Sequence, residues 1–154
     1  MSAADDLIKK LRDKVVEKRY AFPMFGVECH KGWEALYLPL LQLCDILGIE
    51  VHQVKEKFGG LRFYIGGGAT IENAAMVYAL IHAMEHMSYT VCEECGICNN
   101  HYRATDYLDK NHHNPAKVTT EGSWLLTLCE QCRQKRDALR QEQKLLVQQM
   151  KEEV

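Results

Sequence analysis

Apolar residues recur at Leu7, Ile8, Leu11 and Val15, with Lys and Asp on the positions between them. That spacing places them on one face of an α-helix, predicted over residues 4–20. Ser2, with Asp5 three residues on, has the form of a capping box at its start. Phe22-Pro23-Met24-Phe25-Gly26 reads as the loop that follows. Between 33 and 47 the apolar positions (Trp33, Leu36, Tyr37, Leu40, Leu41, Leu43, Cys44, Ile46, Leu47) fall on nearly every side. A helix with that pattern is buried. Pro39 kinks it or marks its first turn, and Gly48 suits its C-terminal cap.

The period then changes. Ile49–Lys57 and Leu61–Ile65 flank Gly59-Gly60, which suits a two-residue hairpin turn. Leu61, Phe63 and Ile65 share one face of the second strand, Arg62 and Tyr64 the other. Gly66-Gly67-Gly68 connects to a third helix over about 70–88, capped by Thr70 and predicted to bury Val77, Leu80, Ile81, Met84 and Met87. After Val91, cysteine, histidine and asparagine accumulate. Trp124–Leu128 reads as a strand, and a last helix runs from about Glu130 to Met150 with a thin apolar stripe, Leu139, Leu146, Val147 and Met150. The fold class expected is α+β: helices packed with a β-hairpin over 1–88, then a treble-clef-like zinc module with a C-terminal helix over 89–154.

Composition changes this picture little. Lys and Arg number 19 against 21 Asp and Glu, a net charge of −2. Binding to duplex DNA or RNA usually shows as a basic field, because affinity comes from neutralising phosphates. That field is absent from the totals. No apolar run reaches the roughly 18 residues of a membrane span, and Met1–Lys10 does not read as a secretory signal. A reducing, cytoplasmic setting is expected, with no membrane partner.

Four of the 7 cysteines form Cys92-Glu-Glu-Cys95-Gly96 and Cys129-Glu-Gln-Cys132. Two thiolates three positions apart can share a tetrahedral ion across a tight turn that a glycine eases. The second pair sits where a strand meets a helix start, whose free N–H groups favour thiolate. One structural Zn²⁺ on Cys92, Cys95, Cys129 and Cys132 is the expectation. Cys98, His101, His112 and His113 could form a second site or be a polar loop. Cys29 and Cys44 read as core or loop thiols.

Other motifs are weaker. His82-Ala-Met-Glu85-His86 matches an inverted zinc-protease pattern, but no third ligand is specified. Gly66-Gly67-Gly68 before a helix could cradle an anion, yet no phosphate-loop Lys follows. Asp109–Pro115 with Leu128–Cys132 resembles an HNH-type nuclease, in which His113 would be the general base. Trp124 and Arg133 stand where that family has Asn and His, so the catalytic set is broken. Lys55, Lys57, Arg62 and Tyr64 are candidate partner-binding residues: a cationic, aromatic surface, or the solvated face of the hairpin.

Three stretches taken together resemble a family of small bacteriophage and prophage proteins. They are Gly32-Trp33, the run Val54-Lys-Glu-Lys-Phe-Gly-Gly-Leu-Arg-Phe-Tyr64, and Cys92-x-x-Cys95-Gly96 with Trp124–Cys132. The resemblance covers about 25–135 and departs at Asn99–Val118, which is longer and richer in His and Asn. It implies a viral accessory protein in a host cytoplasm and brings no activity with it. The function expected is a non-enzymatic binding protein that engages or inhibits a host protein, with self-association through the last helix possible. The alternative is nucleic-acid binding or a degenerate HNH-like nuclease.

Overall fold

The computed structural model describes residues 2–15, 19–96, 116–121 and 124–152. Helix α1 (Ala3–Lys14) begins at the Ser2–Asp5 capping box: Asp5 N donates to Ser2 Oγ, and Ser2 N donates to Asp5 Oδ2 at 2.8 Å. It is shorter than the predicted 4–20 and ends at Val15 in extended backbone. Where a loop was predicted, Ala21–Phe25 forms a short helix, α2. Pro23 falls in its first turn, where its missing N–H costs nothing. Phe22 on this turn is fully buried, which fixes it in place.

Strand β1 (Val27–Glu28) leads through a 3₁₀ turn, Lys31–Trp33, into α3 (Glu34–Leu47). Gly48 ends α3 in the left-handed conformation, as expected. The helix is buried on one broad face, Leu36, Tyr37, Leu40, Leu41 and Cys44, while Ile46 is 80% exposed. It is therefore not buried all round. Asp45 on its solvent side accepts from Lys10 and Lys14, tying α3 to α1.

Strands β2 (Val51–Lys57) and β3 (Gly60–Ile65) are the predicted hairpin, and β1 adds in parallel to β2, giving the order β1-β2-β3. The register pairs Lys57 with Gly60, so the turn is Phe58-Gly59 and not Gly59-Gly60. Both turn residues have positive φ (54° and 75°), the pairing a tight hairpin needs. Gly60 lies in the strand, and there it must lack a side chain, because a Cβ would stand 2.5 Å from the Tyr89 ring.

Helix α4 (Ile71–Ser88) starts at a Thr70–Asn73 capping box. It buries Val77, Ile81 and Ser88. Two members of its predicted stripe turn outward: Leu80 is 38% and Met87 41% exposed. The groups on α4 that meet the edge strand β3 are polar. Ser88 Oγ accepts from Leu61 N at 2.8 Å, and Glu85 Oε1 accepts from Phe63 N at 2.9 Å. Helix side chains thus cap the edge N–H groups that would otherwise lack partners.

The main core lies between the sheet and α1, α3 and α4, with Phe22, Trp33, Leu41, Val54, Leu61 and Val77 at its centre. A second hairpin, β4 (Ala116–Glu121) and β5 (Trp124–Cys129), is antiparallel and runs into α5 (Glu130–Glu152). The strand predicted over Trp124–Leu128 is β5. Among the described residues, no helix is long and apolar enough to cross a membrane.

Candidate metal centre

Val91 is the last buried position before the chain turns at Cys92–Gly96. Gly96 N donates to Cys92 O at 2.9 Å, and Gly96 has φ 75°, which allows the tight return. Cys129 ends β5 and Cys132 lies in the first turn of α5. These two elements bring the second pair up to the first. The ligand atoms of Cys92, Cys95, Cys129 and Cys132 all lie within 4.8 Å of one another. Three of the four are buried and Cys95 is exposed.

The spacing fits a tetrahedral ion. Sulfurs each about 2.3 Å from a central zinc are about 3.8 Å apart along the tetrahedron's edge. Cys95 Sγ and Cys129 Sγ are 3.7 Å apart, far beyond a disulfide bond. The electrostatics agree. Burial alone would raise the Cys92 thiol, but backbone N–H groups of Cys95, Cys129 and Glu94 stabilise its thiolate and the net shift is downward. Burial, followed by hydrogen bonding with the Cys129, Cys95 and Cys92 sulfurs, holds the Cys132 thiol well above its usual range. Four close sulfurs cannot all carry negative charge unless a cation lies among them.

The centre is bonded to the core through backbone. Gly32 N donates to Glu93 O at 2.7 Å and Trp33 Nε1 donates to Val91 O at 2.8 Å. Glu93 N donates to Thr127 O, and Thr127 Oγ1 donates to Gly59 O at the hairpin turn. Leu126 and Leu128 pack beside the cysteines. On the outer side, Arg136 Nε donates to Glu94 Oε2 at 2.8 Å, and its Nη2 approaches His30 Nε2 at 3.2 Å.

Sequence reading missed Glu93 and Glu56. Glu93 is fully buried and neither carboxylate oxygen has a hydrogen-bond partner; Glu56 Oε2 is likewise unpaired, while its Oε1 accepts from Gly59 N. Burial, then the Glu56 charge, pushes Glu93 up to about 7. Both residues line a cavity of about 420 Å³ with Val27, Glu28, Cys29 and His30. A Glu inside a Cys-x-x-Cys turn reads as solvated, so nothing in the pattern marks it. Cys29 and Cys44 are buried or half-buried thiols, as expected, each raised by burial to about 12.

Lys55, Lys57, Arg62 and Tyr64 do gather on the outer face of the hairpin. Lys55 pairs across the strands with Arg62, and its Nζ lies 5.9 Å from the Tyr64 ring centre. Arg62 Nη2 donates to Tyr89 Oη at 3.0 Å. The His82–Glu85–His86 motif dissolves. Glu85 is taken by the β3 backbone, His82 Nδ1 is 3.9 Å from it, and the four cysteines are the only cluster near enough to hold a metal among the described residues. The glycine connection is no anion cradle: Gly66 N donates to Glu50 O, and a Cβ at Gly68 would stand 2.2 Å from Gly48 O. Cys98, His101, His112 and His113 lie outside the described residues. Comparison with protein-family models, curated proteins and solved structures finds no match to this chain.

Proposed function

We propose that this chain is a non-enzymatic, protein-directed binding protein, in which Cys92, Cys95, Cys129 and Cys132 hold one structural zinc ion in a treble-clef-like module. Thiolates select zinc over the harder magnesium or calcium ions. When bound, zinc supplies the charge that lets all four sulfurs ionise, and four protein ligands leave no position for water or substrate. The order turn, hairpin, then helix start carrying Cys132 supports the treble-clef reading.

The observation that carries the binding reading is the outward stripe Met76, Leu80, Ala83 and Met87 on α4. These residues repeat at helical spacing, and Met76, Leu80 and Met87 are 50%, 38% and 41% exposed. A continuous exposed apolar stripe marks a contact surface, and methionine adapts its shape to a partner. The partner that suits it is a host-protein helix laying its own apolar face along α4. Leu139, Leu146, Val147 and Met150, each at least half exposed on α5, provide a second such face and a route to self-association. The resemblance to bacteriophage proteins supports a viral accessory role in a host cytoplasm.

The test has two parts. Elemental analysis of the purified protein is expected to give one zinc per chain, and a value near zero refutes the metal reading. Capture from host lysate is then compared for wild type and Leu80→Lys, with light scattering reporting self-association. Identical capture by both proteins refutes the α4 surface.

A further inference from the structure

The outer face of β2 and β3 carries more than the four residues flagged by the sequence. At its α2 end, Tyr20 stacks on His52 with ring centres 3.6 Å apart and planes inclined by 11°. Arg19 lies 5.4 Å over Tyr20. A cleft of about 340 Å³ opens there, lined by Arg19, Tyr20, Ala21, His52, Gln53 and Tyr64. Tyr64 joins the cleft to the middle of the hairpin, where Lys55 lies over it and Arg62 pairs with Lys55. Arg62 in turn lies 6.0 Å from the Tyr89 ring centre. At the turn, Lys57 lies 5.4 Å from Phe58, which is 66% exposed.

Phe58 is the unusual member. It is the only non-glycine residue with positive φ among the described residues. That conformation strains an L-residue with a bulky side chain, and Gly would hold the turn without strain and Asn with less. The exposed ring buries little apolar surface in return. Backbone strain with no packing gain points to a contact made outside the chain.

We propose that this face binds single-stranded nucleic acid. Rings spaced along a strand pair, with cations between them, form a stacking platform for bases flanked by donors for phosphates. The occupant is chosen by the rings. An acidic peptide needs the cations alone, and a duplex keeps its base faces stacked inside. Among the described residues, Arg19, Lys55, Lys57 and Arg62 outnumber the three acids beside them: Glu28, which accepts from Gln53, Glu50, which faces His52, and Glu85, whose charge acts on Arg62. The face is locally cationic on a chain whose net charge is −2. The proposal is independent of the α4 stripe, because it uses none of Met76, Leu80, Ala83 and Met87.

The experiment is fluorescence anisotropy of a labelled 15-nucleotide oligo-dT against the zinc-loaded full chain. A hairpin duplex of equal length and a 15-residue poly-glutamate peptide serve as competitors. Binding is expected to weaken with salt at a log–log slope of about −3, from about 0.7 per phosphate contact on a single strand. Tyr64→Ala and Phe58→Ala are each expected to weaken binding by about 5-fold or more, and Tyr64→Phe to keep it. Lys57→Ala is expected to flatten the slope by about 0.7. Zinc content and thermal midpoint confirm that each variant is folded. The proposal is overturned if oligo-dT fails to bind at 50 mM salt, or if duplex or poly-glutamate competes as well as oligo-dT. Equal affinity of Tyr64→Ala and wild type overturns it too.

Discussion

Replacing Gly32 with Ala tests whether the metal centre and the core are one structure. A Cβ on Gly32 would stand 2.4 Å from Cys92 O and 2.5 Å from both C and O of Glu93. All three atoms are backbone, and no side chain can swing away to make room. Either the Cys92–Gly96 turn or the Lys31–Trp33 turn must move. The movement breaks the Gly32 N to Glu93 O hydrogen bond and strains that of Trp33 Nε1 with Val91 O, where the indole is fully buried. Overpacking costs about 1–3 kcal/mol, and each buried donor left unpaired adds about 1–3 kcal/mol. A loss of about 3–5 kcal/mol follows, a large share of the 5–15 kcal/mol typical of a whole domain. Urea unfolding at fixed free zinc measures it. If the displacement falls on the turn, zinc affinity in a competition with a chromogenic chelator drops by about two to three orders of magnitude, at about 1.4 kcal/mol per decade. Wild-type unfolding together with wild-type zinc retention would show that the turn is free to shift, and the claimed union of centre and core would be wrong.

Cys132→Ser is expected to release zinc and unfold the β4–β5 hairpin with the start of α5, read as lost zinc stoichiometry and reduced circular dichroism, since structural zinc sites contribute about 10–16 kcal/mol in small modules. Ser88→Ala leaves Leu61 N without its acceptor in a fully buried position; a loss of about 1–3 kcal/mol in chemical denaturation is expected. Asp45 is held below its ordinary carboxylate value by hydrogen bonds from Lys10 and Lys14. Its contribution is therefore present above the unfolded value and lost as pH falls through the lower folded one. The stability difference between wild type and Asp45→Asn is expected to vanish in acid and to shrink at high salt. Glu93→Gln removes a buried carboxylate whose oxygens accept no hydrogen bond and which has only His30 Nε2, at 3.5 Å, as an ion-pair neighbour, so it is expected to raise the thermal midpoint at pH 8 more than at pH 5. A shift larger at pH 5 would contradict the assigned burial.

Local periodicity made most elements legible. The Ser2–Asp5 and Thr70 caps, the Gly48 stop, the hairpin strands and α5 follow from side-chain spacing and backbone preference alone. The failures have tertiary causes. Ala21–Phe25 is helical because Phe22 finds a buried slot, which no local pattern announces. The turn sits at Phe58-Gly59 in a register whose β3 N–H groups at Leu61 and Phe63 are held by Ser88 and Glu85, contacts made far along the chain. Spacing alone places Leu80 and Met87 in the core. Yet Ser88 and Glu85 claim the side of α4 that faces β3, and this rotates the two apolar residues outward. The four-cysteine cluster was legible because Cys-x-x-Cys spacings are short and local. The buried Glu56–Glu93 pair was not, because it is made by two segments far apart in sequence.

The same contacts explain why three separated motifs occur together in one chain. Gly32-Trp33 is small at one position and hydrogen-bonding at the next because the Val91–Glu93 backbone lies against it. The Phe58-Gly59-Gly60-Leu61 turn supplies a carbonyl to Thr127 and an N–H to Ser88, with Gly60 left bare for Tyr89. Thr127 sits on β5, two residues before Cys129, and its carbonyl accepts from Glu93 N between the first pair of cysteines. Each motif therefore contacts the turn or the strand that presents the four clustered cysteines. A small sheet and a metal centre that share backbone hydrogen bonds stabilise each other, so removing the ion should weaken Gly32, Trp33 and the β2–β3 turn as well as α5. Amide hydrogen exchange after chelation separates the two outcomes. Faster exchange at Leu61 and Trp33 Nε1 is expected; loss of protection confined to residues after 91 would show that the core stands alone.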